Sequence, residues 1–150
     1  HGGGFRDGNR NSDAAVQGWV RHMAQRGFVA VSIDYRLDGL DNPEKSNTIA
    51  MYDAKAAVRW LRANAGKLRV DPERIAAFGC SAGAMTVAFL CGVGDTLGEG
   101  DSGNQGFSSN IQAGVALSGA LMIPNYANLL LNKHVAPYLD FHGCDDHTVP

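Results

Sequence analysis

The chain has 150 residues, of which 45% are hydrophobic and 19% are charged, and its formal net charge is −2. This composition is typical of a soluble globular protein, with residues 1–150 forming a single domain. The near-balance of charge argues against a nucleic acid or an anionic membrane as a partner. The sequence contains no apolar run of about 18 residues, so no membrane span is predicted.

The first residue is a histidine rather than a methionine, and we interpret the sequence as a piece of a longer reading frame. Any targeting segment would then precede it, so the sequence leaves the compartment and the oligomeric state open. Cys80, Cys91 and Cys144 form neither a metal-ligand spacing nor a dense disulfide pattern. Their disulfide state is therefore also open.

The first half of the chain predicts two helices with a strand between them. Ser12-Asp13 can cap a helix that Gly27 ends. The apolar, β-branched run Phe28–Asp34 is typical of a buried strand. A polar loop is expected from Leu37 to Asn47, and a long helix with one apolar stripe from Thr48 to Lys67.

The second half predicts three further strands, with helices between them. The strands are expected over 74–78, 111–117 and 138–142, the helices over 82–91 and 125–132, and loops over 92–110 and 143–150. Four strands that alternate with helices predict an α/β layer sandwich with a parallel sheet. In such a sheet, functional sites form where the strands end at their carboxyl termini.

The glycine run His1-Gly2-Gly3-Gly4 opens the chain at a point where a strand would have ended. Successive glycines let the backbone bend until two N–H groups point at one oxygen atom, which is how an oxyanion is stabilised. A flexible loop is the alternative interpretation. His1 is expected to brace this loop rather than to act as a base.

Ser81 lies within Gly79-Cys80-Ser81-Ala82-Gly83, between a predicted strand and a predicted helix. A tight strand-to-helix turn leaves no room for bulky neighbours, which accounts for the two glycines. The serine then projects as a nucleophile, and the N–H of Ala82 at the helix start points into the same space. Chance matches to this pattern occur, so the prediction depends on the strand before it and the helix after it.

The third segment, His142–Pro150, follows the last predicted strand and carries Asp145 and Asp146 side by side. A carboxylate in this position can orient a catalytic histidine and stabilise its imidazolium form. Taken alone, the segment also reads as a polar turn. Beside the other two motifs, the interpretation as the acid of a catalytic triad is favoured.

These segments together resemble the α/β-hydrolase-fold serine esterases. They are similar to the hormone-sensitive-lipase-like carboxylesterases and to their acetylxylan and feruloyl esterase relatives. The resemblance covers the whole chain, and it is carried by residues 1–5, 31–36, 53–61, 79–83 and 142–150. It implies a partial α/β-hydrolase catalytic domain with a parallel sheet, which lacks the N-terminal strands and the C-terminal strand and histidine segment of the family.

The resemblance also implies roles for individual residues. Ser81 matches the nucleophile of the family. The N–H groups of Gly3, Gly4 and Ala82 match the donors of its oxyanion hole. Because one nucleophile serves both halves of such a reaction, neither a metal nor a cofactor is expected.

The acid and the base follow from the spacing and the order of the family's motifs. Counting from His142 places the triad acid on Asp146 rather than on Asp145. The family's chain order is serine, acid, histidine, so the catalytic histidine is expected beyond Pro150. His147 is an unsuitable base, because adjacent side chains on a loop rarely converge on a third group.

Three features depart from the usual pattern, the first being His147, which stands where the family often has proline. Cys80 directly precedes the nucleophile. The resemblance to tannase-like feruloyl esterases implies that a cysteine at this position is one half of a disulfide. A small buried side chain at the strand end is the alternative. The loop Gly98–Asn110, which carries Glu99 and Asp101, is expected to be a solvated loop near the pocket rim, with a metal site as the alternative.

The sequence thus predicts a serine hydrolase that cleaves small carboxylic esters, with short acyl or aryl groups, through an acyl-enzyme. A peptidase of the prolyl-oligopeptidase type and a non-catalytic hydrolase-fold binding module remain open as alternatives. In the family, another strand lies between those at 28–34 and 75–78. Without that strand, and without a base, residues 1–150 alone are expected to be neither stably folded nor active.

Overall fold

The computed structural model describes residues 1–37, 42–120 and 135–149. The elements of these residues are the helices α1 (Ala14–Ala24), α2 (Pro43–Ala63), α3 (Ala65–Leu68) and α4 (Ala82–Val93), and the strands β1 (Ala76–Cys80), β2 (Ala113–Leu117) and β3 (Tyr138–Phe141). The three strands form one parallel sheet in the order β1-β2-β3. The predicted α/β class with a parallel sheet is therefore confirmed.

The ladder of the sheet continues past the ends of the strands. Phe78 pairs with Val115, and Val115 pairs with Leu139. Beyond the strands, the N–H of Ser81 donates to the carbonyl of Leu117 at 2.9 Å, and the N–H of Ser118 donates to that of Phe141 at 2.8 Å. The residues that follow the three strands consequently lie side by side at one edge of the sheet.

Helix α4 is buried along its whole length between the sheet and α2. Its close approach to the sheet depends on Gly114, because a Cβ there would lie 2.3 Å from Sγ of Cys91 and 2.8 Å from Cγ1 of Val87. The main apolar core forms around this contact from Ala54, Val58, Ile75, Val87, Leu90, Cys91, Ile111 and Ala136. Within the described residues, no helix is both long and apolar enough to span a bilayer.

The first predicted helix is confirmed as α1. Asp13 caps it, because Oδ1 accepts the N–H groups of Ala15 at 3.0 Å and Val16 at 3.2 Å. The chain turns away at Gly27, which has a φ of +88°. On its inner side, the helix packs Trp19 against Phe78 of β1, with the ring centres 4.6 Å apart.

The second helix begins earlier than predicted, at Pro43 rather than at Thr48, and ends at Ala63. Asn42 caps it by accepting the N–H of Lys45 at 3.1 Å. An asparagine cap followed by a proline in the first turn is a normal helix start, which the polar composition of this stretch obscured. Residues 38–41 of the predicted loop lie outside the described residues, as does the predicted helix over 125–132.

The predicted buried strand over Phe28–Asp34 is wrong. The segment forms no ladder with any described residue, and Phe28 and Val29 are 63% and 49% exposed. A β-branched apolar run becomes a strand only where a neighbouring strand takes up its backbone hydrogen bonds. Within the described residues, β1 pairs with β2 and not with this segment. The segment is held instead by polar contacts, such as the Arg10 N–H donated to Asp34 at 2.6 Å.

The other strands lie close to their predicted positions. Strand β1 runs to Cys80, two residues further than predicted, because Gly79 and Cys80 still pair with Ala116 and Leu117 of β2. Strand β2 begins at Ala113 instead of residue 111, and β3 ends at Phe141 instead of residue 142.

The loop over residues 94–110 is attached to α2 by buried cations. Lys55 and Arg59 have no exposed surface. Lys55 donates to the carbonyl of Gly98, and Arg59 donates to that of Gly103 at 2.7 Å through Nη2. Arg59 also pairs with the Glu99 carboxylate. The predicted solvated loop is confirmed in its exposure, since residues 101 and 103–107 are exposed, although carbonyl groups of the loop are bound by side chains of α2.

We expect Arg59→Ala to lower the free energy of unfolding by about 3 kcal/mol or more, because it leaves the carbonyls of Glu99 and Gly103 without their buried donor and the Glu99 carboxylate with Lys55 alone. Arg74→Ala is the control: Arg74 is 82% exposed and pairs with the exposed Asp71, so its loss is expected to leave stability unchanged within error. Urea unfolding of the two variants of the full-length protein measures the difference. Equal losses would contradict the anchoring role of Arg59.

Candidate active site

Ser81 occupies a strained turn between β1 and α4. Its φ is +53° and its ψ is −120°, a conformation that costs energy for any residue with a side chain. It stands at the cap position of α4, yet its side chain makes no capping hydrogen bond. The hydroxyl is therefore left at the carboxyl edge of the sheet rather than used by the helix.

The turn at Ser81 is possible because Gly79 has no side chain. A Cβ at Gly79 would lie 2.2 Å from the carbonyl oxygen of Gly83. The first turn of α4 thus folds directly over the end of β1. This is the nucleophile-elbow arrangement, which needs a small residue before the serine.

The glycine run at the start of the chain lies against this elbow. A Cβ on Gly83 would lie 2.9 Å from the carbonyl oxygen of His1, and a Cβ on Gly2 would lie 3.3 Å from Cβ of Ser81. Two segments about 80 residues apart in sequence are therefore in backbone contact beside the serine hydroxyl.

The shape of this glycine loop requires glycine at its centre. Gly3 and Gly4 have φ values of +113° and +60°. The Gly3 carbonyl accepts the N–H groups of Arg6 at 3.0 Å and Asp7 at 3.1 Å, and a Cβ on Gly3 would overlap the carbonyl of Asp7 at 2.0 Å. Neither N–H of Gly3 and Gly4 donates to another residue in the described ranges, so both remain available to a ligand.

Two side chains fix the start of the glycine loop. The Tyr35 ring stacks on the His1 ring at 4.1 Å, and its hydroxyl donates to the His1 carbonyl at 2.8 Å. Burial, helped by the charge of Asp13, raises the pKa of Tyr35, so that the hydroxyl stays protonated as a donor. Asp13 accepts the N–H of Gly2 at 3.1 Å through Oδ2. His1 thus braces the loop, as predicted.

Asp146 is held within the loop after β3. Its Oδ1 accepts the N–H groups of Thr148 and Val149, each at 2.9 Å, and its Oδ2 lies 3.6 Å from Nε2 of His142. The two backbone donors, with smaller contributions from the Ser118 hydroxyl and His142, lower the pKa of Asp146. Asp145 is exposed, whereas the Asp146 side chain is largely shielded. Asp146 is therefore the ordered carboxylate of this loop.

The three motifs meet around one apolar group, which we call the site cluster. It contains Phe5 of the glycine loop, Tyr35, Ala50 of α2, Ala82 and Met85 of α4, and Val149 of the loop that follows β3, which we call the acid loop. Burial of these side chains together stabilises the approach of the three segments. The structure thus brings Ser81, Ala82, the glycine loop and the acid loop to the same end of the sheet.

The described histidines have other positions and partners. His142 shares its Nε2 with the Val149 carbonyl at 2.6 Å, and His1 is buried against Tyr35. His22 is exposed on α1, and His147 is exposed beside Asp146. His134 lies outside the described residues. No histidine of the described ranges hydrogen-bonds to Ser81.

The described residues contain no cluster of three or more His, Cys, Asp or Glu side chains that could hold a metal ion. Glu99 pairs with Lys55 and Arg59, and Asp101 pairs with Arg36. Cys80 is a half-buried free thiol, and burial raises its pKa.

Sequence reasoning missed the contributions of Asp13 and Ser118 to the site. Asp13 was expected only as a helix cap, and nothing in the sequence indicates its bond to Gly2. Ser118 follows β2 with a φ of +50°, and its hydroxyl contributes to the lowered pKa of Asp146. A serine after a strand carries no distinctive signal, so only the sheet register reveals it.

A parallel α/β sheet with a strained serine after one strand and a glycine loop packed against that serine are features of the α/β-hydrolase fold. The chain belongs to the BD-FAE family, whose model matches residues 1–121.

Comparison with characterised proteins gives the same class. The chain is 36% identical over 88 residues to an arylesterase of Saccharolobus solfataricus, covering 59% of this chain and 27% of that protein. It is 35% identical over 98 residues to the carboxylesterase NlhH of Mycobacterium tuberculosis, covering 65% and 29%. The matched region thus spans less than a third of these relatives.

Solved structures of esterase 2 from Thermogutta terrifontis match nearly the whole chain. The form phosphorylated by paraoxon superposes with a TM-score of 0.79 at 29% identity, covering 99% of this chain and 58% of that one. The butyrate-bound form gives 0.78 at 26%, covering 99% and 61%. The fold is therefore that of a partial α/β-hydrolase domain.

We expect Gly79→Ala to lower the free energy of unfolding by about 3 kcal/mol or more, because the new methyl group meets backbone atoms that cannot move without opening the start of α4. Gly66→Ala is the control, since nothing lies within 4 Å of its Cβ position, and a change within about 1 kcal/mol is expected. Chemical unfolding of both variants measures this. A mild effect at Gly79 would contradict the tight elbow.

The lowered pKa of Asp146 predicts how the acid loop responds to pH. The hydrogen bonds of the carboxylate contribute fully above the ordinary aspartate pKa of about 3.9 and are lost as the pH falls through the lowered value. Carbon-13 NMR of labelled aspartate carboxyl groups measures the titration. Asp146 is expected to titrate below about 3.9, and a midpoint at or above that value would contradict the observed bonding.

Proposed function

We propose that the full-length protein carrying this chain hydrolyses carboxylic esters through an acyl-enzyme, with residues 1–150 contributing part of the catalytic domain. The observation that carries the proposal is the contact of Gly2 with Ser81, where a Cβ on Gly2 would lie 3.3 Å from Cβ of Ser81. The N–H groups of Gly3 and Gly4, which follow Gly2, donate to no described residue, and we infer that they face the Ser81 hydroxyl. A nucleophile beside converging backbone donors is the arrangement that acyl transfer needs.

In the proposed reaction, Oγ of Ser81 attacks the ester carbonyl while a histidine takes its proton. The carbonyl oxygen becomes an oxyanion, which the N–H groups of Gly3, Gly4 and Ala82 stabilise. Collapse of this intermediate expels the alcohol, which receives the proton from the histidine. Water then attacks the acyl-enzyme with the same histidine as base, and the carboxylic acid and free Ser81 are released.

We assign Asp146 as the carboxylate that orients the histidine. Its Oδ1 is used by two backbone N–H groups, while Oδ2 makes only the longer approach to His142. A triad acid needs one oxygen fixed by the protein and one directed at the imidazole. We place the histidine itself beyond Pro150, in keeping with the chain order of related hydrolases, so residues 1–150 alone are proposed to be inactive.

For the substrate we propose small esters with a short acyl or aryl group. One support is that the solved structures of the similar esterase 2 include butyrate-bound and propionate-bound forms. The characterised relatives include an arylesterase and a carboxylesterase. No metal or cofactor enters the proposed steps, since the nucleophile, the donors and the acid all come from the chain.

The test is hydrolysis of p-nitrophenyl butyrate by the full-length protein and three variants. Ser81→Ala is expected to abolish turnover and to prevent covalent labelling by paraoxon. The labelling is measured by mass spectrometry of the intact protein. Asp146→Asn is expected to lower kcat by about 10³- to 10⁴-fold, because the histidine loses its orienting charge. Asp145→Asn is the matched control and is expected to stay within threefold of the parent.

Each contrary result has its own meaning. Turnover or labelling that survives Ser81→Ala rejects this serine as the nucleophile. A larger loss of kcat in Asp145→Asn than in Asp146→Asn would identify Asp145, not Asp146, as the carboxylate that orients the histidine. Preferential cleavage of a p-nitroanilide amide would indicate the peptidase alternative, and a parent protein that neither hydrolyses nor is labelled would indicate a binding module.

A further inference from the structure

We propose that Asp13 is a positioning residue for the oxyanion hole: one carboxylate ties the glycine loop to the start of α1 and so sets the loop against Ser81. The inference rests on the proposed function, because it concerns the donors of that same reaction. The observation behind it differs from the one behind the proposed function: the Asp13 side chain accepts hydrogen bonds from three backbone N–H groups.

The two oxygens of Asp13 have different tasks. Oδ1 accepts the N–H groups of Ala15 at 3.0 Å and Val16 at 3.2 Å, which caps α1. Oδ2 accepts the N–H of Gly2 at 3.1 Å, eleven residues earlier in the chain. Hydrogen bonds to an ionised acceptor are stronger than neutral ones, so the loop is fastened to a rigid helix by a charge-assisted bond.

The peptide held by Asp13 is the one that contacts the nucleophile. Gly2 lies against Ser81 on one side. The Tyr35 hydroxyl donates to the carbonyl of His1 at 2.8 Å and approaches that of Gly2 at 3.4 Å. With donor and acceptor groups both fixed, the planar peptide at Gly2 has no freedom to rotate. The N–H groups of Gly3 and Gly4, one and two residues further on, inherit this orientation.

A helix cap alone does not require aspartate at this position. Asparagine and serine cap helices about as well, but neither can accept at both ends. In Asp13→Asn, the amide oxygen can cap α1 while the amide nitrogen, a donor, faces the N–H of Gly2. In Asp13→Ser, the shorter hydroxyl caps α1 and does not reach the loop. Both variants therefore separate the loop bond from the cap.

The control for helix stability is Ala15→Gly, an exposed position in the first turn of α1. Glycine there weakens the helix and leaves the carboxylate and its bond to Gly2 in place. If Asp13 served only to stabilise the fold, all three variants would follow the same relation between melting temperature and activity.

The experiment uses the full-length protein with p-nitrophenyl butyrate, an aryl trifluoromethyl ketone as transition-state analogue, and hydrogen exchange of the peptide that contains residues 1–6. In Asp13→Asn and Asp13→Ser we expect kcat to fall about tenfold with KM within twofold, and ketone affinity to fall about tenfold. Exchange at Gly2 should rise at least tenfold. In Ala15→Gly these readouts should be unchanged although the melting temperature falls.

Two results would overturn the inference. Unchanged exchange at Gly2 in both Asp13 variants would mean that the bond does not hold the loop, whatever the activity. Faster exchange with unchanged kcat and ketone affinity would mean that the loop bond does not position the donors. Failure of the proposed function is read separately, from the parent protein, as absent turnover and absent labelling of Ser81.

Discussion

The site depends on backbone segments that approach each other more closely than any side chain would permit. The end of β1 and the start of α4 are so near that a Cβ on Gly79 would lie 2.2 Å from a backbone oxygen of Gly83. The same is true of Gly83 and His1, at 2.9 Å. Glycine at these positions lets three chain segments share the space beside Ser81. This close packing forms the turn that carries Ser81 and brings Gly2 into contact with it.

The parallel sheet supplies the second constraint. Since β1, β2 and β3 run in the same direction, the residues after them fall at one edge, and the ladder continues through Ser81 and Ser118. The acid loop then returns over this edge, where Val149 is buried in the site cluster. The polar groups of the site are thus placed by the backbone and secured by a small apolar core. The same arrangement holds the strained conformation of Ser81, whose cost is offset by the surrounding packing.

Much of this could be predicted from the sequence where the signal is local. The strand before Ser81, the small-residue helix after it and the cap at Asp13 each depend on neighbouring residues, and all were predicted to within a few positions. The strand over Phe28–Asp34 failed because pairing is a non-local property that an apolar run does not encode. An isolated segment of good β-formers remains irregular when no neighbour takes up its hydrogen bonds.

The contacts that the sequence did not indicate join residues far apart in the chain. Arg59 reads as a charged residue on an exposed helix face, yet it is buried because carbonyl groups about 40 residues later bind it. The hydrogen bond between Asp13 and Gly2 could not be predicted from the sequence, because the role of Asp13 as a helix cap already accounts for an aspartate at this position. In both cases a polar side chain takes up main-chain groups of a loop, and loops carry no periodic pattern from which their partners can be deduced.

The central claim is that the N–H groups of Gly3, Gly4 and Ala82 converge on one oxygen beside Ser81. The most direct measurement is a crystal structure of the full-length protein after reaction with a phosphonate ester. We predict phosphorus bonded to Oγ of Ser81, with the phosphoryl oxygen about 2.7–3.1 Å from those backbone nitrogens. A phosphoryl oxygen that points to solvent, or an adduct on another residue, would contradict the account.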